Sequence, residues 1–329
     1  MKVLVFGAGG QVGYEVRRAA WPRSVSLAPL DRAAVDIADG VAVAGALARE
    51  RPDLAVNLAA YTAVDRAESE PDLAWKTNCA GAALLAACCG DCGVPLVHLS
   101  TDYVFDGAKP VPYTEDDPAA PLGVYGASKE AGERAVRAAL ARHVILRTAW
   151  VYGVHGTNFV KTILRRAAQD EILRVVADQR GAPTAAADLA AALVVIARRV
   201  AEGTAVWGTF HLTGAGAVSW HGFAEAIVER AAPFLGRRPR IEPIGSAEYR
   251  TAARRPPNSL LECGRIGAAY GIRPRPWPDG LAAVVAELFA TGSSGENRAR
   301  AGGSPPPRPS PVFTGEGDPP SPPPPAGEG

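Results

Sequence analysis

The sequence predicts an α/β fold: a Rossmann-type, doubly wound parallel sheet with a smaller C-terminal α/β domain. Three observations predict it. Short apolar runs alternate with helix-patterned stretches through about residue 150, the pattern of βαβ units. The first apolar run ends in a glycine loop that opens a helix. Beyond residue 150 the alternation loosens into longer helices with sparse strands between them, as a smaller domain leaning on the sheet would read.

The elements follow in order. Residues 2–6 (KVLVF) form the first strand, and 11–20 the helix after the glycines. Residues 26–30 form a second strand ending at Asp31, 39–51 a helix, and 54–59 a third strand. A long helix spans 71–90, with proline at its start, where a missing N–H costs nothing. Residues 95–99 are a fourth strand, 125–142 a helix and 144–147 a fifth strand. In the second half, 158–169, 185–200, 220–231 and 278–290 read as helices, with strands at 173–176, 208–212 and 241–244. The domains expected are 1–150, with a return segment near 185–212, and 151–290.

Composition narrows the class. Of 329 residues 47% are hydrophobic, enough for a sizeable core, and 35 Lys+Arg balance 34 Asp+Glu to a net charge of +1. That balance argues against a surface built for nucleic acid or membrane. Residues 291–329 hold 11 of the 29 prolines and 8 of the 35 glycines, which reads as a disordered tail. There is no run of about 18 apolar residues and no signal-like start. The five cysteines include a CxxC pair, Cys89 and Cys92, without a second pair or a histidine at ligand spacing. They read as small core residues of a reduced, cytoplasmic protein.

Two motifs carry chemistry. Gly7, Gly10 and Gly13, with Gln11 and Val12 between them, make a GxxGxxG turn from strand to helix. Glycine lets the backbone approach a pyrophosphate, and the helix start offers it free N–H groups, so this loop is read as a dinucleotide site. Asp31, 21 residues after Gly10, stands where an acid takes ribose hydroxyls, and Arg32 beside it suits a 2′-phosphate. The pair leaves NADH and NADPH both open. Asp36 and Ile37 suit an adenine, while Asp36 serves equally as a helix cap.

The second motif is Ser100-Thr101-Asp102 followed, 24 residues after Thr101, by Tyr125-Gly-Ala-Ser-Lys129. Tyr125 and Lys129 lie one turn apart on one helix face. An ammonium there is expected to lower the tyrosine pKa and to reach a cofactor ribose. Such a tyrosine gives a proton to an alkoxide as hydride arrives at a carbonyl carbon, with Thr101 bonding the same oxygen. Only five lysines occur in the chain, and one stands at this position.

These residues resemble the extended short-chain dehydrogenase/reductase superfamily and, within it, the dTDP-4-dehydrorhamnose reductase family. The likeness rests on GAGGQVG (7–13), NLAAYTAVDRAE (57–68), STDYVFDG (100–107), YGASKEAGE (125–133), RTAWVYG (147–153) and NFVKTIL (158–164). DQRGAPT (178–184), HLTGAGAVSW (211–220) and RPPNSLLE (255–262) continue it to about residue 290. The resemblance implies NAD(P)H-dependent reduction of a nucleotide-sugar ketone, with 151–290 as the substrate domain. It implies catalytic Thr101, Tyr125 and Lys129. It implies cofactor contacts from Gly7, Gly10, Gln11, Val12, Gly13, Asp31, Arg32, Asp36, Ile37, Ala60, Tyr61, Thr62, Tyr125 and Lys129. Thr101, Asp102 and Trp150 would hold the sugar.

Asn158, Arg255 and Asn258 are further diphosphate candidates, with capping or surface roles equally open. Some family members use acidic residues such as Glu15 for a Mg²⁺-linked dimer. No full carboxylate set is visible here, so the metal is not predicted and a homodimer is left open. A related nucleotide-sugar reductase or epimerase, or a non-catalytic cofactor-binding subunit, remain the alternatives.

Overall fold

The computed structural model describes residues 1–292 and the two-residue strand Val312–Phe313. The rest of the stretch expected to be a disordered tail lies outside the described residues. Those two residues depart from that expectation, since they pair antiparallel with a strand of the second lobe.

The strands are β1 (Lys2–Phe6), β2 (Ser26–Leu30), β3 (Leu54–Asn57), β4 (Leu96–Thr101), β5 (His143–Thr148), β6 (Val151–Tyr152) and β7 (Ile172–Val176). They continue with β8 (Arg180–Gly181), β9 (Thr184–Ala185), β10 (Gly208–His211), β11 (Val218–Ser219), β12 (Arg240–Ile244) and β13 (Val312–Phe313). The helices are α1 (Gln11–Arg18), α2 (Gly40–Glu50), α3 (Val64–Ala67), α4 (Pro71–Trp75), α5 (Ala82–Asp91) and α6 (Val124–Ala139). After them come α7 (Phe159–Ala167), α8 (Ala186–Ala201), α9 (Trp220–Leu235), α10 (Gly264–Tyr270) and α11 (Trp277–Gly292).

Six strands form the main sheet in the order β10-β5-β4-β3-β1-β2, every pairing parallel. The order reverses at β1 and β3, and a doubly wound sheet binds ligands outside the strand ends at that switch. β10 comes late in the chain yet closes this sheet beside β5, so the segment around 208–211 belongs to the first layer. Because helices cover both faces, the strands are apolar on both sides. One core packs Val3, Val5, Val56 and Val144 against α1 and α8. The other packs Leu4, Phe6, Ala55 and Leu96 against α2, α5 and α6. A third core unites α7, α9, β7 and α11 in the second lobe.

Four local details differ from the sequence pattern. The helix expected to run unbroken over 71–90 contains a π-helical turn, Lys76–Gly81, which swings Asn78 inward. β3 stops at Asn57, whose side-chain carbonyl takes the Ala59 N–H and bends the chain away. β4 continues to Thr101, which caps a 3₁₀ turn over Asp102–Val104. α10 and the two-residue strands have too little periodicity to announce themselves.

Candidate functional site

The glycine loop leaves the carboxyl end of β1. Gly7 sits at φ +80°, and a Cβ there would lie 2.5 Å from the Ala59 nitrogen. Only glycine tolerates both conditions. Gly10 caps α1 with no side-chain acceptor, so the first N–H groups of the helix at Gln11, Val12 and Gly13 face outward without a protein cap. That cradle fits a dinucleotide pyrophosphate. Gly7→Ala is expected to destabilise the fold by about 2–4 kcal/mol, through the left-handed backbone and the overpacked contact. Urea denaturation measures it, and an unchanged midpoint would refute it.

A second segment closes on this loop. Asn158 caps α7 through its Oδ1 and donates Nδ2–H to Gln11 Oε1 at 2.9 Å and to the Gly153 carbonyl at 2.8 Å. His155 lies 3.1 Å from the Gly9 carbonyl and stacks on Tyr14 at 4.6 Å. Asn158 was a diphosphate candidate; its side chain instead caps a helix and clasps the two lobes together. Arg255 and Asn258 are also committed internally. Arg255 forms a buried pair with Asp65 at 2.9 Å. The Asn258 amide donates to the Lys109 and Val111 carbonyls.

After β2, Asp31 is exposed and its Oδ1 accepts the Ala34 N–H. Arg32, with a side chain 80% exposed, reaches to within 3.9 Å of Asp36. Acid and base thus stand together, and both ribose and 2′-phosphate chemistries have a partner. Asp36 accepts the Ala38 N–H, while Ile37 is buried among core residues with its side chain against Gly81. What Ile37 has to offer a base is therefore its backbone.

Ala60, Tyr61 and Thr62 follow β3. Asn78 grips Tyr61 on both sides, accepting its N–H at 2.8 Å and donating to its carbonyl at 3.0 Å. The same amide donates to Ser128 on α6. Asn78 thereby ties the loop after β3 to α6 from within the π turn. The Tyr61 hydroxyl donates to Glu70 at 2.6 Å.

Tyr125, Lys129 and Glu133 make one stripe along α6, facing β4. Helix α6 and the 3₁₀ turn after β4 approach closely because residue 126 is glycine: a Cβ there would fall 2.1 Å from the Tyr103 carbonyl. The Tyr125 hydroxyl lies beside the Thr101 side chain. Thr101 in turn donates to Asp102 Oδ1 at 3.0 Å. Burial pushes the Tyr125 phenol up to about 12, the Thr101 hydroxyl working against it and the Asp102 charge with it.

The expected lowering of the tyrosine pKa by the Lys129 ammonium is therefore not found in this state. Lys129 is itself buried, and its Nζ donates to the Leu99 carbonyl at 2.7 Å, with His98 Nε2 at 3.4 Å. Burial pushes Lys129 down to about 8, with Glu133 opposing. The mutual arrangement loads the tyrosine with its proton, the state a proton donor needs.

Asp102 is 2% exposed, and its Oδ2 accepts no hydrogen bond among the described residues. Burial raises its carboxyl to about 6, against the pull of the nearby Ser259 and Thr101 hydroxyls. A group raised in the fold contributes stability below its unfolded value near 3.8 and loses it as pH rises through about 6. Asp102→Asn is thus expected to gain roughly 1–3 kcal/mol over the wild type above that pH. Urea midpoints at about pH 5 and pH 8 test this; equal pH dependence in both proteins would dismiss it.

Trp150 follows β5 at φ +49°, a backbone state rare for a bulky residue and frequent at functional sites. It stacks on Trp220 at 3.4 Å and 8°, and Gly181 leaves room for its ring. Trp220 could not be linked to the site by sequence spacing, being 70 residues away.

Glu15 faces Arg18 at 3.6 Å, and Arg18 bonds Glu287. No group of three or more His, Cys, Asp or Glu that could hold a metal occurs among the described residues. Cys89 is buried, and Cys92 is exposed. No described helix is long and apolar enough to cross a membrane.

The family described as RmlD substrate binding domain matches residues 1–290. The chain is 45% identical to the dTDP-4-dehydrorhamnose reductase of Sinorhizobium fredii over 294 residues, 89% of this chain and 99% of that one. It is 42% identical to the enzyme of that name from Burkholderia thailandensis, over 88% of this chain and 100% of the relative. Among solved structures, a dTDP-4-dehydrorhamnose reductase from Clostridium acetobutylicum superposes with a TM-score of 0.82 at 36% identity, covering 88% and 99% of the two chains. One from Bacillus anthracis, in complex with NADP, gives 0.80 at 36% identity, covering 87% and 99%.

Proposed function

The chain belongs to the family of the RmlD substrate binding domain, that of the dTDP-4-dehydrorhamnose reductases, and from this membership we propose its reaction and the part each residue plays. The protein is an NAD(P)H-dependent oxidoreductase that reduces the C4 ketone of dTDP-4-dehydro-β-L-rhamnose to dTDP-L-rhamnose. The observation that carries the mechanism is the Tyr125–Thr101 hydroxyl pair at the carboxyl end of β4, with Lys129 one turn along α6.

Bound NAD(P)H supplies a hydride to C4. The Gly7–Gly13 loop and the start of α1 hold its pyrophosphate. Asp31 and Arg32 meet the adenosine ribose, with Asp36 and Ile37 beside the base. Ala60, Tyr61 and Thr62 pass along it toward the sheet edge. As C4 takes the hydride, its oxygen becomes an alkoxide; Tyr125 gives that oxygen its proton, and Thr101 donates a hydrogen bond to it. Asp102 takes a sugar hydroxyl with its unused oxygen. The Trp150 indole, backed by Trp220, covers the apolar face of the 6-deoxy sugar. Lys129 reaches the cofactor ribose when its side chain leaves the Leu99 carbonyl.

All five cysteines are free, which suits the reducing, cytoplasmic setting we also propose. The reaction is tested by following NADH and NADPH absorbance with the enzymatically made 4-keto sugar. Oxidation at one equivalent per sugar is expected. No oxidation with either cofactor would overturn the reading.

A further inference from the structure

Beneath the catalytic lysine lies a buried polar chain that the sequence did not single out. Asn57 and His98 are register partners on β3 and β4, and both are 1% exposed. The Ala59 backbone N–H donates to Asn57 Oδ1 at 3.1 Å. A backbone amide can only donate, so the oxygen end of the Asn57 side chain is fixed there. Its Nδ2 then faces His98 Nδ1 at 3.0 Å and must donate to it. Nδ1 therefore carries a lone pair, and the neutral ring bears its proton on Nε2.

That Nε2–H lies 3.4 Å from Lys129 Nζ. An amine can accept it with its lone pair while donating to the Leu99 carbonyl at 2.7 Å. An ammonium has no lone pair, so it would meet the ring hydrogen head-on.

We propose that His98 is a positioning residue for Lys129: held by Asn57 in the Nε2–H form, it accepts the lysine beside it only as a neutral amine. The ammonium is turned out of this pocket toward the cofactor ribose. Cofactor binding is then coupled to proton uptake by Lys129.

The surroundings agree. His98 is kept neutral by burial. Lys129 is faced by His98 and, one turn along α6, by Glu133. The Glu133 carboxylate is already saturated by Ser100, Arg137 and Arg147. It therefore offers Lys129 long-range attraction but no hydrogen bond in the pocket. The inference rests on the cofactor reading of this site and not on the sugar.

Two measurements test it. Long-range ¹H–¹⁵N NMR of the labelled wild-type protein should show His98 protonated on Nε2, with His98→Gln assigning the signal. Calorimetry of NAD(P)H binding near pH 9, in buffers of different ionisation enthalpy, should show uptake of about one proton per cofactor. In Asn57→Asp the carboxylate takes both the Ala59 N–H and an Nδ1–H, turning the Nε2 lone pair toward Lys129. Uptake should then fall severalfold. A wild-type ring protonated on Nδ1, or uptake that Asn57→Asp leaves unchanged, overturns the proposal. If the variant does not fold, the wild-type ring still decides. A protein that takes up the proton with NAD(P)H yet leaves the 4-keto sugar unreduced would retire the reductase reading and keep this one.

Discussion

Tyr125→Phe is expected to lower kcat by about 10²–10⁴ while cofactor affinity stays within about twofold. The substitution removes one oxygen and keeps the ring, which packs edge-on against Tyr103 at 5.5 Å. Glycine 126 and the rest of α6 stay as they are, so the fold has no reason to respond. What is lost is the proton for the developing alkoxide, beside the Thr101 hydroxyl. Burial keeps this phenol protonated throughout neutral pH, so the wild-type rate should lose the donor only on the alkaline side, as pH rises toward about 12. Steady-state kinetics and fluorescence titration of NADPH separate the two quantities. A variant that turns over within tenfold of the wild type would show that water or another residue supplies the proton. One that loses cofactor affinity in parallel would place the tyrosine in binding and not in chemistry.

The residues legible beforehand were those whose chemistry is written in local spacing. Gly7, Gly10 and Gly13 lie within one turn of chain, and Tyr125 and Lys129 within one turn of helix. The strand–helix alternation through residue 150 is equally local, and it yielded the sheet. What escaped is what distant segments make when they meet. Asn78 reaches Tyr61 only because a π turn breaks a helix that composition alone would leave intact. The clasp of His155 and Asn158 on the glycine loop joins residues 146 or more apart in the chain. His98 reads as one more residue in an apolar strand, and its meaning comes from Asn57 on the neighbouring strand and Lys129 on the covering helix. The tyrosine–lysine pair shows the converse limit. Spacing placed the two groups on one face, but burial determines their charges in this state.

Glu133→Ala is expected to destabilise the protein by about 3–5 kcal/mol, the largest stability effect of any single change considered. The carboxylate is fully buried and receives the Arg147 guanidinium at 2.6 and 2.9 Å, the Ser100 hydroxyl at 2.6 Å and Arg137 at 3.1 Å. Ser100 and Arg147 are register partners on β4 and β5, so one side chain pins α6 to both strands beside Thr101 and Lys129. Removing it leaves Arg147, 4% exposed, with a buried charge. The nearby His211 cannot compensate, because burial and Arg147 itself push its pKa down to about 3. The penalty is thus mainly the stranded arginine, not the lost pair, and a double change to apolar residues should recover much of it. Glu133→Leu with Arg147→Met is expected to be more stable than Glu133→Ala alone. The acid limb distinguishes them further. Burial works to raise the Glu133 carboxyl, but Arg147 and its other partners hold it below the ordinary value of 4.5. Its contribution is therefore present above that value and lost as pH falls through the lower folded one. Urea midpoints across that range should fall more steeply toward acid for the wild type than for the double variant. Parallel slopes, or a single variant that loses under about 1 kcal/mol, would show that α6 is held to the sheet by its apolar face and not by this carboxylate.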